Sequence, residues 1–486
     1  MIITRGVALL TSLALALALA LVVGCAKVQQ SGVDAVDAGG SGGVRGTGAL
    51  GGGTGTEPRG TAGTTGGPVG CKNLQCQQMT CPNGASTTVS GKVYDPAGKV
   101  PLYNVIVYVP NAPLAPIAEG VSCERCAGTA SGSPVASALT DASGAFVLQN
   151  VPVGRDIPLV MQVGKWRREV TIPEVVACAD TKFDDVNLTR LPRNQQEGHL
   201  PRMALATGHS DALDCLLRKI GISDAEFTND ASGGRVHMYA GGDGMVDRQG
   251  ATRLMSGAVF ADAYKTLFAN DAKLAAYDVL LLQCEGAQIE SSKKPYVNNL
   301  KRYADNGGRI FAEHLHSVFF RLGPPPWPAT GKWLGGGTAD LVPPVTGLIE
   351  TSFPKGMALA SWLMAVGASP TAGQIPLDMA QHSVDEPLGF GTQRWIYTMT
   401  PLPSVQYLTF NTPVEVPPEQ QCGRAVFTDV HVGTGGGVSH PETPFPSGCS
   451  TLTTLSPQEK ALEFMLFDLS SCVLPDMMKP VPPVIE

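Results

Sequence analysis

Histidine is scarce in this chain, eight in 486 residues. Two of them nonetheless stand beside a glutamate in NGGRIFAEHLHSVFF, residues 306–320, as Glu313, His314 and His316. Other apolar runs end in the same way. RMALATG leads to His209, YDVLLLQ to Cys284 and Glu285, and GRAVFT to Asp429 and His431. Imidazole, thiol and carboxylate are the groups that move protons, attack carbonyl carbons or ligate transition metals. A thiol and a distant imidazole, Cys284 with His431, could form a nucleophilic dyad, provided the site favours the thiolate. On a continuing strand, residues two apart share a face, so His314 and His316 are the candidate metal pair. Glu313, Asp429 or His431 would complete a zinc-type set. No third ligand stands at a fixed spacing, and the plainer reading is a rim that only hydrogen-bonds.

These residues converge only if the runs are neighbouring strands. From residue 201 strands and helices alternate, the pattern of a mainly parallel sheet covered on both faces. HSDALDCLLRKIGI puts Leu213, Leu216, Leu217 and Ile220 on one helical face, with Ser210 as the expected cap and Gly221 as the stop. KPYVNNLKRYADNGG is a helix with Val297 and Leu300 inward. LSPQEKALEFMLFDLSSCV opens on a capping box, Ser456 to Glu459, with Pro457 at the first helical position. Residues 322–420 interrupt the alternation with prolines, a helix around Met357 to Val366 and a strand at VQYLTF. They read as an insertion or as extra edge elements. In such a sheet ligands collect beyond the carboxyl ends of the strands, where all the candidates fall.

The preceding segment, 71–192, reads as all-β. Val105, Val107 and Val109 alternate after the turn Asp95-Pro96-Ala97-Gly98. Phe146 and Leu148 alternate after Asp141-Ala142-Ser143-Gly144, and two strands flank Gly164-Lys165. Residues 25–70, rich in Gly, Thr and Ser, cannot bury enough apolar surface to order themselves and form a tether of about 35–40 Å. Residues 1–24 are a secretory signal: Arg5 and then an apolar run ending at Val22-Val23-Gly24-Cys25. These four residues resemble the bacterial lipobox, which implies lipidation of Cys25. Ala26 then favours the outer membrane, with the lipid anchoring the protein without spanning the bilayer. Residues 476–486 form a proline-rich tail. The charge of −7 and the absence of a basic stripe argue against nucleic acid as a partner.

Segment 86–190 resembles the carboxypeptidase regulatory-like domain, through G-K-V, T-D-x-S-G-x-F and N-V-P-x-G. That implies a β-sandwich with no catalytic residue. The α/β part resembles the class I glutamine-amidotransferase-like superfold, especially its ThuA-like branch, through YDVLLLQCEG, NGGRIFAEH and GRAVFTDVHV. The whole assembly is similar to surface lipoproteins of myxobacteria-like Gram-negative bacteria. The amidotransferase resemblance implies a nucleophile on the turn after NGGRIFA, but Glu-His-Leu-His stands there and Ser317 comes too late. A degenerate, non-catalytic domain binding a protein or carbohydrate ligand is therefore expected, with no cofactor. The alternative is a carbohydrate-related hydrolase, metal-dependent or not, at the same rim.

Of twelve cysteines, Cys25 is assigned to lipid. Export implies disulfides among Cys71, Cys76, Cys81, Cys123, Cys126 and Cys178, which allow 15 pairings. A zinc knuckle at Cys123-x2-Cys126 is the rival. Cys422 and Cys449 are expected to pair, Cys215 and Cys472 to pair or stay buried, and Cys284 to remain free.

Overall fold

The computed structural model describes residues 70–126, 130–335, 340–432, 439–449 and 454–485. The expected signal, the expected lipidation site Cys25 and nearly all of the expected tether lie outside them. The described chain combines a two-sheet β region with a large mixed sheet.

In the β region, strands Ala145–Leu148, Thr88–Lys92 and Asp180–Lys182 form one sheet. Pro134–Leu139, Ile106–Pro110, Gly154–Val163 and Trp166–Val175 form the other, fully antiparallel. Strand Ile106–Pro110 is buried throughout rather than on alternate residues. Ile106 and Tyr108 find a second cover in Val160, Leu114, Ala130 and Leu139.

The large sheet has eleven strands, one of which, Phe227–Thr228, pairs only with Val236–Ala240 and lies off the main order. One half is parallel, in the order Ala261–Asp262, Val236–Ala240, Met203–Thr207, Val279–Leu282, Arg309–Glu313 and Gly423–Thr428. The other half is antiparallel: Ser404–Thr412, Gln393–Thr398, Val345–Ile349 and Gln374–Leu377. The sheet is thus mixed rather than mainly parallel. The stretch expected as an insertion supplies its entire antiparallel half. The reason is local, because the connection 413–422 is too short for the crossover that parallel neighbours require. Alternate residues of the parallel strands enter two cores: Met203, Leu205, Leu281 and Phe311 on one face, and Ala204, Leu280, Leu282 and Ile310 on the other.

Helix Pro457–Ser470 carries the expected capping box, with Ser456 accepting from Glu459 N. Helix Leu213–Lys219 differs at its start. Its N-cap is Ala212, with no side-chain cap bond from Ser210, because Asp211 takes the Ala212 N–H at 2.7 Å.

One core cluster runs from Val89, Val107 and Leu159 of the β region to Leu216, Phe464 and Phe467 of the α/β part. Trp166 meets Phe467 edge-on and Tyr103 stacks on Phe464. Each such buried aromatic contributes roughly 2–3 kcal/mol. Helix Pro457–Ser470 is consequently buried on nearly every side. The hairpin turn at Gly164 approaches so closely that a Cβ would lie 1.7 Å from Ser470 O, and its φ is +52°, so only glycine fits. Polar contacts cross the same boundary. Lys165 Nζ bonds Asp278 at 2.5 Å, and Ala97 N bonds Ile220 O.

The disulfides join the regions too. Cys71–Cys76 and Cys81–Cys178 are local to the β region. Cys123–Cys422 and Cys126–Cys472 tie it to the α/β part, and Cys215 pairs with Cys449. The expected Cys422–Cys449 bridge, three bridges confined to the sandwich, and a knuckle at Cys123 and Cys126 are all corrected. Spacing along the chain carried no information on which distant loops the fold would place side by side. Five disulfides fit an oxidising compartment. Among the described residues no helix is long and apolar enough to cross a membrane.

Candidate metal centre

Three neighbouring strands of the parallel half, Val279–Leu282, Arg309–Glu313 and Gly423–Thr428, deliver one residue each to a common point. Cys284 follows the first, His314 the second and His431 the third. Their ligating atoms all lie within 4.8 Å of one another. Cys284 Sγ is 3.4 Å from His314 Nδ1, and the two imidazole centroids are 5.1 Å apart. The site is closed: Cys284 is 0%, His431 3% and His314 7% exposed.

His314 sits on the sharp turn between strand Arg309–Glu313 and helix Ser317–Arg321, with φ +41°. A non-glycine residue held in the left-handed region costs of order 1 kcal/mol, and such residues cluster at functional sites. Here that turn presents an imidazole. Burial and the neighbouring His431 hold that imidazole well below its ordinary protonation range, so it is neutral. Cys284 is moved the other way. Burial, with Glu313 and Asp211 nearby, pushes the thiol strongly up, although the backbone N–H groups of Gly286 and Leu315 favour the sulfur anion. The shift is opposite in direction to the one that activates a thiol nucleophile. His431 is the unsatisfied member, for both ring nitrogens are buried without a hydrogen-bond partner.

Carboxylates hold the ligand-bearing segments. Glu313 Oε2 accepts from Cys284 N at 3.0 Å. Asp211 accepts from Val432 N at 2.9 and 3.0 Å, beside His431. Burial, with Asp211 adjacent, raises Glu313 well above the usual carboxylate range. The backbone of His431 is fixed from the terminal helix, where Gln458 Nε2 donates to His431 O at 2.6 Å.

The other expected residues separate from this cluster. His316 does not share a face with His314, because the strand ends at Glu313 and His314–His316 form a tight helical turn. His316 Nε2 contacts Gln283 O at 2.9 Å and its ring stacks on Phe319. Burial lowers it to about 3. The His314–His316 metal pair is therefore corrected. Glu285 belongs to a separate buried network with Lys293 Nζ at 3.2 Å, Tyr264 Oη at 2.7 Å and Gly242 N at 2.7 Å. Asp429 accepts from Ser383 N at 2.7 Å, and burial lifts it to about 7. His209 packs edge-on against His440, with ring centroids 4.6 Å apart. Two residues escaped the sequence reading. Asp211 was legible as an aspartate two positions after a strand-end histidine. Lys293 gave no signal, since a lysine in a polar run reads as surface, yet it is fully buried and also bonds Leu315 O at 3.2 Å.

No family model and no curated protein matches the chain. Among solved structures, a ThuA-like protein from Bacteroides uniformis ATCC 8492 is similar at 9% identity, over 55% of this chain and 91% of that one, with a TM-score of 0.27. Two interface mutants of a type II cohesin–X-dockerin complex from Acetivibrio cellulolyticus align at 18% and 17% identity. They cover 26% and 28% of this chain and 78% and 85% of theirs, with TM-scores of 0.15 and 0.16. Likenesses of this size carry no argument about function.

Proposed function

We propose that this chain is an exported envelope protein, lipid-anchored through Cys25, whose α/β part holds one transition-metal ion on Cys284, His314 and His431. The observation that carries this reading is the convergence of the three donors within 4.8 Å, one of them an imidazole with both nitrogens buried and unpartnered. An unsatisfied buried polar group costs about 1–3 kcal/mol. A cation at this point would satisfy His431 and take the place of the Cys284 proton, which burial otherwise retains. Glu313 and Asp211 supply the outer support that metal sites need to fix their ligands. The near-zero exposure of the donors favours a binding centre over a hydrolase, because a hydrolytic metal keeps one position open to water and substrate.

Elemental analysis of the full chain, purified in detergent without chelator, tests the reading. About one equivalent of metal is expected. Cys284→Ser and His431→Ala should each weaken binding about 100-fold or more while leaving the circular dichroism unchanged. A wild-type protein that is metal-free as purified, and takes up neither zinc, cobalt nor copper on titration, would sink it.

A further inference from the structure

The identity of the donors narrows the chemistry. Resting on the metal-binding reading above, we propose that Cys284, His314 and His431 form a one-electron copper centre. One thiolate with two imidazoles is the equatorial set of copper sites that transfer electrons, whereas structural zinc takes four protein donors. Among the described residues no fourth His, Cys, Asp or Glu joins the three donors. The nearby carboxylates brace the backbone, Glu313 Oε2 accepting from Cys284 N and Asp211 from Val432 N. They orient the ligand segments.

Two further features fit electron transfer. The donors come from three adjacent strand ends, so the same cage serves both oxidation states. Finally, Cys284 is the one unpaired cysteine among the described residues, and it is buried. Cupric ion therefore finds no second thiol there to oxidise to a disulfide. The His314 edge, 7% exposed, is the most open part of the centre and the route for an electron.

The balance is simple. On binding, Cys284 releases its proton to solvent and forms the sulfur–copper bond. Cu(II) then accepts one electron from a one-electron donor to become Cu(I), and a one-electron acceptor removes it. No protein bond breaks in the cycle.

The test is titration of the detergent-solubilised full chain with Cu(II) alone, followed by visible absorption and electron paramagnetic resonance. About one equivalent should bind. It should produce an intense thiolate-to-copper charge-transfer band that ascorbate bleaches and ferricyanide restores. Cys284→Ser should abolish the band. His431→Ala, which leaves the sulfur in place, should shift or weaken it, and zinc should not displace the copper at equal concentration. Copper bound without the band, or zinc displacing it, would overturn the copper inference and leave the metal reading standing. Absence of any metal binding would remove both.

Discussion

The two regions of this molecule treat buried polar groups differently. In the β region polar side chains inside the protein are paired. Thr140 Oγ1 donates to Leu102 O at 2.6 Å and accepts from Val105 N at 2.9 Å. Gln162 Nε2 donates to Gly164 O at 2.9 Å. Among the described residues the orphaned side-chain atoms of residues 71–192 are Asp95 Oδ2 and Trp166 Nε1. At the strand ends of the α/β part, by contrast, His209 Nδ1, Glu313 Oε1, His316 Nδ1, Asp429 Oδ1 and both nitrogens of His431 are orphaned. Such groups cost stability, and a fold retains them where they meet something else. On the function proposed above, the β region serves as support and the α/β rim meets a ligand.

The comparison can be broken most forcefully at the bridges between the regions. Cys123–Cys422 and Cys126–Cys472 span 299 and 346 residues. Closing a loop of that size restricts the unfolded chain by about 5 kcal/mol. The second bridge adds less once the first is closed. Replacing all four cysteines with serine should therefore lower the urea midpoint more than any single substitution discussed here. Losing the local Cys71–Cys76 bridge, only 5 residues apart, should move it far less. Equal effects would mean that the shared core, not the bridges, holds the regions together.

A smaller effect tests the claim of satisfied polarity. Thr140→Val keeps the shape and strands the Val105 N–H, so it should destabilise by about 1–3 kcal/mol in equilibrium unfolding. A neutral result would show that water reaches this turn.

The smallest effect lies where Asp95 of the β region meets Glu463 of the terminal helix. Both Glu463 oxygens are buried without a donor. Burial lifts Asp95 to about 6, and burial with Asp95 alongside raises Glu463 well above its ordinary value. Lys460 and Glu459 act on Glu463, and Lys99 on Asp95, without reversing either shift. For carboxyls raised in the folded state the stabilising contribution is complete below their unfolded values, near 4. It is lost as pH rises through about 6 and beyond. Glu463→Gln should remove most of that slope and stabilise the protein by about 1 kcal/mol at pH 8, with little change at pH 4. A parallel pair of pH–stability curves would refute it.

Much of the architecture was legible. The strands after Ser404 and before Thr428, helix Val297–Asp305 with Val297 and Leu300 buried, and the capping box at Ser456 all follow from periodicity and end chemistry. These are local properties, decided by which face of a helix or strand is apolar. The site was legible as a set of strand ends, because a parallel sheet aligns them on one side. Its membership was not. His314 and His316 looked equivalent in the chain, and a tight turn in place of one more extended residue sent them apart.

The sequence alone determined a cysteine-rich chain, an alternating α/β pattern after residue 201, and the residues that could do chemistry. Periodicity and side-chain type are written residue by residue. Only the tertiary structure decided the pairing of the cysteines, the mixed sheet, and the meeting of Cys284, His314 and His431. Each of these depends on which distant segments become neighbours, and that is settled by packing two regions over one core.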